Sequence, residues 1–367
     1  MNGFAAMFRK ELTQMLRDRG TLFFAIAVPV FELILFGVID MNAKNIPTAI
    51  FDQSKTQESR RLIEQFGNTS YLRITELVDS RAALQHQIVA GRAQVAIEIP
   101  PDYARNLAAK RQAGVLIMID GSDSSIANQA LSAANGVVLF NSIQALIEKS
   151  RAVPQVEAHP VMMFNPDMRS ANLLIPGLIS ILLTFSGTIL SAFAIVKERE
   201  RGTLEQLMVT PVSPMAVVTG KLLPYLGLAY VQLLMILFLM RVLFRVPIHG
   251  SLTLLLVLSP VYLLSLLSAG LLVSSRANSQ MEAMQRAMGI MLPSVLLSGY
   301  IFPIASLPLP LRVVSYVLPA THFIKIARGI VIRGATFFDL WEPVAALLVI
   351  SAVLIAASAR AFQKTVT

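Results

Sequence analysis

Residues 173–214 read LLIPGLISILLTFSGTILSAFAIV followed by KERERGTLEQLMVTPVSP: an apolar run, a burst of charge, then two prolines. The apolar part is long enough to cross a hydrocarbon core of about 30 Å, which takes roughly 20 residues. Beyond it, Gly202 breaks the helix that extends from the span. Thr203 and Gln206 form a T-x-x-Q capping box that starts a new helix. Pro211 ends that helix, and Ser213-Pro214 supplies the N-cap and first position of the next apolar run. The spacing therefore predicts a short charged helix, 203–210, held between two membrane helices. It is either a well-capped tight loop or a rigid lever that passes force from a neighbouring subunit into the membrane.

Working outward, the same length criterion finds further apolar runs at 21–39, 216–240, 252–273, 287–304 and 343–359. Together with 173–196 they predict an α-helical polytopic membrane protein with six transmembrane helices. Pro224 reads as a tolerated kink, and Pro303 cuts the fifth span short. The composition agrees: of 367 residues, 55% are hydrophobic and 14% charged, and mean hydropathy is +0.64. Soluble domains carry about 25% charged residues, so a cytosolic enzyme is excluded. The absence of cysteine excludes thiol catalysis and Cys-ligated metal centres, and four histidines argue against a His-rich metal site.

The first run is longer than a signal-peptide core and lacks a small-x-small cleavage site, so it reads as an uncleaved anchor. Segments on one side of the spans carry twelve basic residues, including Arg9, Lys10, Lys197, Arg199, Lys221 and Arg286; the two shorter connections opposite carry six. By the positive-inside rule both termini are expected in the cytoplasm and the 40–170 segment outside. Residues 41–170 of it have 13 basic and 12 acidic residues. The net charge of +9 therefore lies on membrane flanks, and no basic face suited to nucleic acid is present.

Residues 1–20 are amphipathic, with Phe4, Phe8, Leu12, Met15 and Leu16 at helical spacing and Glu11 among the charges opposite. Such a helix is expected in the membrane interface, as an anchor or as an elbow touching a partner. Within 40–170, strands are expected at 46–52, 71–75, 93–99 and 115–120, the last a nearly continuous apolar run and so a central strand. Helices are expected at 54–66 from a Ser54 cap, 81–90 from a Ser80 cap, 100–110 and 125–149. The alternation predicts a small α/β domain inserted between the first two spans. Asp120 and Asp123 read as turn caps rather than a site, and His86 and His159 as isolated side chains.

Glu198-Arg-Glu-Arg-Gly-Thr-Leu-Glu-Gln-Leu with Thr210-Pro211 resembles the coupling-helix signature of type-2 ABC exporter permeases. Leu297-Ser-Gly-Tyr-Ile-Phe-Pro303, continuing to Arg328 and Gly334, resembles the same family's segment after the fifth span. The resemblance covers essentially the whole chain. It implies a permease subunit that pairs with itself or a paralogue and exports substrate, using ATP and magnesium bound by separate cytoplasmic ATPase subunits. A periplasmic adaptor and an outer-membrane channel are further expected partners. Glu198, Gly202, Thr203, Glu205, Gln206, Leu207 and Pro211 carry over as the coupling element. Independently, no GxxxxGK[ST] phosphate loop occurs, so no nucleotide cofactor is expected on this chain.

Pro303, Pro308 and Pro310 prevent a continuous helix after the fifth span. Helices at 309–317 and 321–332, split by Pro319, are expected on the outer side, as a 305–334 re-entrant segment near a gate or as a helical hairpin packing the bundle; the first is apolar enough to re-enter the membrane. Gly299, Tyr300 and Pro303 are candidate gate residues. Glu32 in the first span is an intramembrane carboxylate, which faces a bundle interior or a wet cavity by default. It would bind a cationic substrate, carry a proton, or bond to Thr184 or Gln232. Thr184, Ser186 and Gln232 are path candidates that equally suit helix packing. Two other readings stand beside export: a membrane-anchored sensor with a ligand-binding external domain, and an ion-driven secondary transporter with Glu32 as its proton site.

Overall fold

The computed structural model describes residues 2–38, 44–69, 71–109, 111–122, 124–150, 164–165, 169–203 and 214–364. Contacts divide the chain into two units, one formed by 1–39 with 163–367 and one by 40–162.

The helical unit begins with α1 (Asn2–Arg17) and α2 (Arg19–Val38), and continues with α7 (Ser170–Glu200), α8 (Pro214–Val242), α9 (Leu252–Arg276) and α10 (Gln280–Leu297). Then come α11 (Leu309–Val317), α12 (Pro319–Arg328), a π-helical turn (Gly329–Arg333) and α13 (Trp341–Lys364). Five of these helices are long and apolar enough to cross a membrane: α2, α7, α8, α9 and the 338–361 segment around α13. At about 1.5 Å per residue, α7 is roughly 46 Å long and outruns the hydrocarbon core.

The expected fifth span is not such a helix. α10 starts at Gln280, capped by the Ser279 side chain, and ends at Leu297, before Pro303 is reached. Its first turns carry Glu282 and Arg286, so its apolar portion is short. Gly299 follows with φ +85°, a conformation in which a side chain would be strained. Pro319 separates α11 from α12 and takes the first position of α12, which starts two residues before the expected 321. It is α12 whose side chains are buried within the bundle, whereas Leu309, Val313 and Val317 of α11 are exposed.

Hydrophobicity does not drive helices together in lipid; close packing and hydrogen bonds do. α7 and α9 meet accordingly. A Cβ on Gly270 would lie 2.0 Å from Ser191 Oγ and 2.4 Å from the Thr188 carbonyl oxygen, so only glycine permits this crossing. Further along, Tyr262 donates to the Ser180 carbonyl at 2.9 Å and lies 2.7 Å from Thr184 Oγ1. The Phe323 ring of α12 stacks on Tyr262 at 4.2 Å. α2, α8 and α10 start near the end of the bundle that carries Glu198, as contacts of Asp18, Lys221 and Gln280 with α7 show. α7 and α9 end there, Arg199 bonding to the Ala277 carbonyl. Gly37 near the end of α2 and Arg169 just before α7 meet Phe244 at the other end: a Cβ on Gly37 would meet the Phe244 ring, and Arg169 donates to the Phe244 carbonyl at 3.0 Å.

The second unit is a four-stranded sheet of β1 (Ile46–Asp52), β2 (Leu72–Leu77), β3 (Val95–Ile99) and β4 (Leu116–Ile119), in the order β2-β1-β3-β4. β1 pairs in parallel with β2 and β3, and β4 runs antiparallel to β3. The 115–120 run is therefore an edge strand and not the central one. Its apolar residues are covered on one face only in part, and continuity of hydrophobicity does not report strand position by itself. α3 (Gln57–Gly67), α5 (Tyr103–Ala108) and α6 (Ser124–Ser150) cover one face through Leu62, Phe66, Tyr103, Ala130 and Ala134. α4 (Arg81–Val89) covers the other through Leu84 against Ala49 and Ala96. The α3 cap is Thr56, in a capping box with Ser59, and not Ser54; the Ser54 amide instead donates to the Asp52 carboxylate at 2.9 Å. Asp120 accepts from the Ser122 amide at 2.9 Å, the turn-capping role its position suggests. Asp123 and His159 lie outside the described residues.

Candidate functional site

Three consecutive residues at the end of α7 hold four neighbouring helices. The Glu198 carboxylate receives Lys10 of α1 at 2.5 Å and Lys221 of α8 at 3.1 Å. Arg199 bonds to the carbonyls of Ala277 and Ser275 at the end of α9. Glu200 accepts the Gln280 amide at 2.7 Å at the start of α10. Lys221 is 1% exposed and also donates to Glu11 at 2.6 Å and to the Ala194 carbonyl at 3.1 Å. Two carboxylates and two ammonium groups thus cancel in charge, which is the condition for burying them at all. Burial pushes the Glu11 carboxyl up, opposed by the Lys221 ammonium.

α1 reaches this cluster because Gly220 of α8 leaves room for Met7: a Cβ there would lie 2.9 Å from the Met7 side chain. The face of α1 that enters protein is therefore Met7, Glu11 and Met15, at i, i+4 and i+8, while Phe4 and Leu16 remain exposed. This corrects the expected polar placement of Glu11. A second latch sits at the α1–α2 junction. Asp18 accepts from Thr21 Oγ1 at 2.6 Å and from the Thr21 amide at 3.0 Å, and pairs with Lys197 at 3.0 Å. These hydrogen bonds, with Lys197 adding, hold the Asp18 carboxyl down at about 2.

α7 then closes in a Schellman motif: the Thr203 amide donates to the Glu198 carbonyl at 3.0 Å and the Gly202 amide to Arg199 at 3.1 Å. Gly202 has φ +65°. Thr203 Oγ1 turns back to the Glu198 carbonyl at 3.3 Å. Glu205, Gln206, Leu207 and Pro211, and with them nearly all of the expected 203–210 helix, lie outside the described residues.

At membrane depth the expected residues separate. Thr184 is buried in the α7–α9 knot with Tyr262. Ser186 Oγ lies 2.7 Å from Gln232 Oε1 across the α7–α8 contact, and Gln232 Nε2 is buried without a partner among the described residues. Glu32 bonds to neither Thr184 nor Gln232. Glu32 and Ser186 instead line a cleft of about 600 Å³ between α2, α7 and α10. At the opposite end of the bundle, Arg328 Nη1 donates to the Gly299 carbonyl at 3.1 Å, and its guanidinium lies 6.0 Å from the Tyr300 ring centre. Gly177 of α7 makes the space, since a Cβ there would lie 2.9 Å from Tyr300 and 3.0 Å from Arg328. Pro303 is exposed and caps a 3-10 turn, Ile304–Ser306.

A family model described as ABC-2 family transporter protein matches residues 19–360. The chain belongs to the ABC-2 transporter family. The probable multidrug ABC transporter permease YbhR of Escherichia coli strain K12 is 29% identical over 363 residues, covering 98% of each chain. The probable multidrug ABC transporter permease YbhS of the same strain is 29% identical over 333 residues, 90% of this chain and 88% of the relative. The inner membrane transport permease YhhJ, also of that strain, is 27% identical over 368 residues, 97% of this chain and 96% of the relative. This ABC-2 protein is thus a multi-pass permease subunit of an ABC transporter, a class whose membrane subunits associate with ATPase subunits. Sequence reasoning missed Lys10, Glu11, Lys221, Asp18 and Lys197. The signal was present in Gly220-Lys221, a charge inside an otherwise apolar helix, but its partners come from two other helices.

Proposed function

We propose that this permease subunit is one half of an ATP-driven exporter. Two copies, or one copy and a paralogue, form the pathway, and separate cytoplasmic ATPase subunits bind ATP with magnesium. Both termini and the Glu198 end face the cytoplasm; the 40–170 segment is periplasmic and receives substrate or a periplasmic adaptor that leads to an outer-membrane channel. α10 completes a sixth crossing with the irregular 298–303 segment. Gly299, Tyr300 and Pro303, with α11 and α12, form the outer gate.

The carrying observation is the attachment of α1, α8, α9 and α10 to Glu198, Arg199 and Glu200. A push on the 203–210 segment enters α7 through a tight Schellman turn and reaches four neighbouring helices through short polar contacts. Glu205 and Leu207 then make the ATPase contact, and Gly202 and Pro211 shape the turn. The test is Glu205→Lys, followed by co-purification with the ATPase subunit and transport in vesicles. Loss of both is expected; undiminished binding and transport would overturn the coupling assignment.

One observation favours a second reading. Glu32 has no hydrogen-bond or ion-pair partner among the described residues and lines a cleft, as a proton site would. An ion-driven transporter would keep working under ATP depletion and stop with an uncoupler. The exporter reading expects the reverse.

A further inference from the structure

The cleft between α2, α7 and α10 has a charge balance that selects its occupant. Of its lining residues only Asp18, Glu32 and Lys197 are ionisable. Asp18 and Lys197 lie together at one end and neutralise each other at 3.0 Å. Glu32 lies about 20 Å along α2 from its first residue, by helix rise, and is left uncompensated. A lone carboxylate among apolar walls is unfavourable unless a cation joins it. The geometry points to a binding site for a bulky, monovalent, lipophilic organic cation, seated in this cleft with its charge at Glu32. The inference rests on the transport reading and gives it a substrate class.

The walls fit that class. Phe24, Phe185 and Phe193 line it, and cations are attracted to aromatic rings. Val28, Leu182 and Ile189 add aliphatic surface. A volume of about 600 Å³ suits a drug-sized molecule. A metal ion does not fit. Calcium or magnesium needs six or more oxygen ligands, and the wall around Glu32 offers Ser186, whose hydroxyl is already engaged with Gln232. An anion would meet Glu32 with no free cation to balance it, because Lys197 is held by Asp18.

The test uses two ions of matched shape and opposite charge, tetraphenylphosphonium and tetraphenylborate. Binding to the purified full chain in detergent is measured by equilibrium dialysis against empty micelles. Tetraphenylphosphonium is expected to bind saturably. Glu32→Gln should weaken it about tenfold or more, and Glu32→Asp should leave it within about threefold of wild type. Tetraphenylborate should show no saturable binding. Val28→Trp, at a half-exposed cleft position, should fill the site and abolish cation binding while circular dichroism and gel filtration stay unchanged. Equal cation binding by wild type and Glu32→Gln overturns the proposal, as does equally tight tetraphenylborate binding, which would mark a lipid-chain groove. Cation binding that survives Val28→Trp places the site elsewhere and overturns it too. No ATPase or transport enters the measurement, so it can succeed if ATP-driven export fails, and fail if export stands.

Discussion

Lys221 buries its ammonium between Glu11 and Glu198, with the Ala194 carbonyl as a third acceptor. Replacing one member of such a group strands the others as uncompensated charge, at a cost of about 3–5 kcal/mol. Lys221→Met should therefore lower the thermal unfolding midpoint of the detergent-solubilised protein sharply. Adding Glu11→Gln to it should recover part of the loss, because one stranded charge is removed; no recovery would mean that the cost is steric. Asp18 behaves differently because it is partly exposed. Its carboxyl is held below the unfolded value, near 2 in the folded chain. Its contribution is fully present above about pH 4 and is lost as pH falls toward 2. The stability difference between wild type and Asp18→Asn should be constant from pH 5 to 8 and close only below about pH 4. A difference that closed near pH 6 would point to another group.

At the scale of elements, two glycines do different work and make a paired prediction. Gly202 has open space around its missing Cβ, so Gly202→Ala costs only the left-handed conformation, roughly 1–2 kcal/mol. Gly202→Asn should cost less. Gly270 has an ordinary backbone but no space, so Gly270→Ala must part α7 from α9 at a cost of about 1–3 kcal/mol or more. Gly202→Ala should loosen the ATPase contact and be partly rescued in unfolding midpoint by Gly202→Asn, whereas Gly270→Ala should lower the midpoint at least as much and leave the ATPase contact in place. The sequence made the Gly202 break legible because a glycine after a long apolar helix and before a T-x-x-Q box is a local signal. Gly270 carried no signal, since its role depends on Ser191 and Thr188 of another helix. For the same reason α10 was mis-bounded. Hydropathy ran through 298–304, but the chain turns at Gly299 to let Arg328 bond to its carbonyl.

For the whole molecule, alternation of helix direction puts the α2 start and the α7 end together, and brings Gly37 of α2 and Arg169, just before α7, to Phe244 at the other end. The sidedness is checkable because the chain has no native cysteine. Gln85→Cys on exposed α4 should react with a membrane-impermeant maleimide added to spheroplasts, whereas Gln14→Cys on α1 should react only after the membrane is opened. The opposite pattern would invert the proposed orientation. Length, apolar runs and the spacing of basic residues determined by themselves that this is a multi-pass helical membrane protein with an α/β insertion, because those features follow from the thickness of a bilayer and the period of a strand or helix. The turn at Gly202 was legible as local punctuation. Only the tertiary structure decided that Glu11 faces inward, that Lys221 balances two carboxylates, that Thr184 is tied to Tyr262 and that Glu32 stands alone in a cleft. Each of these depends on which side chain of a distant helix satisfies a buried charge or hydroxyl, and the sequence around one residue does not contain its partner.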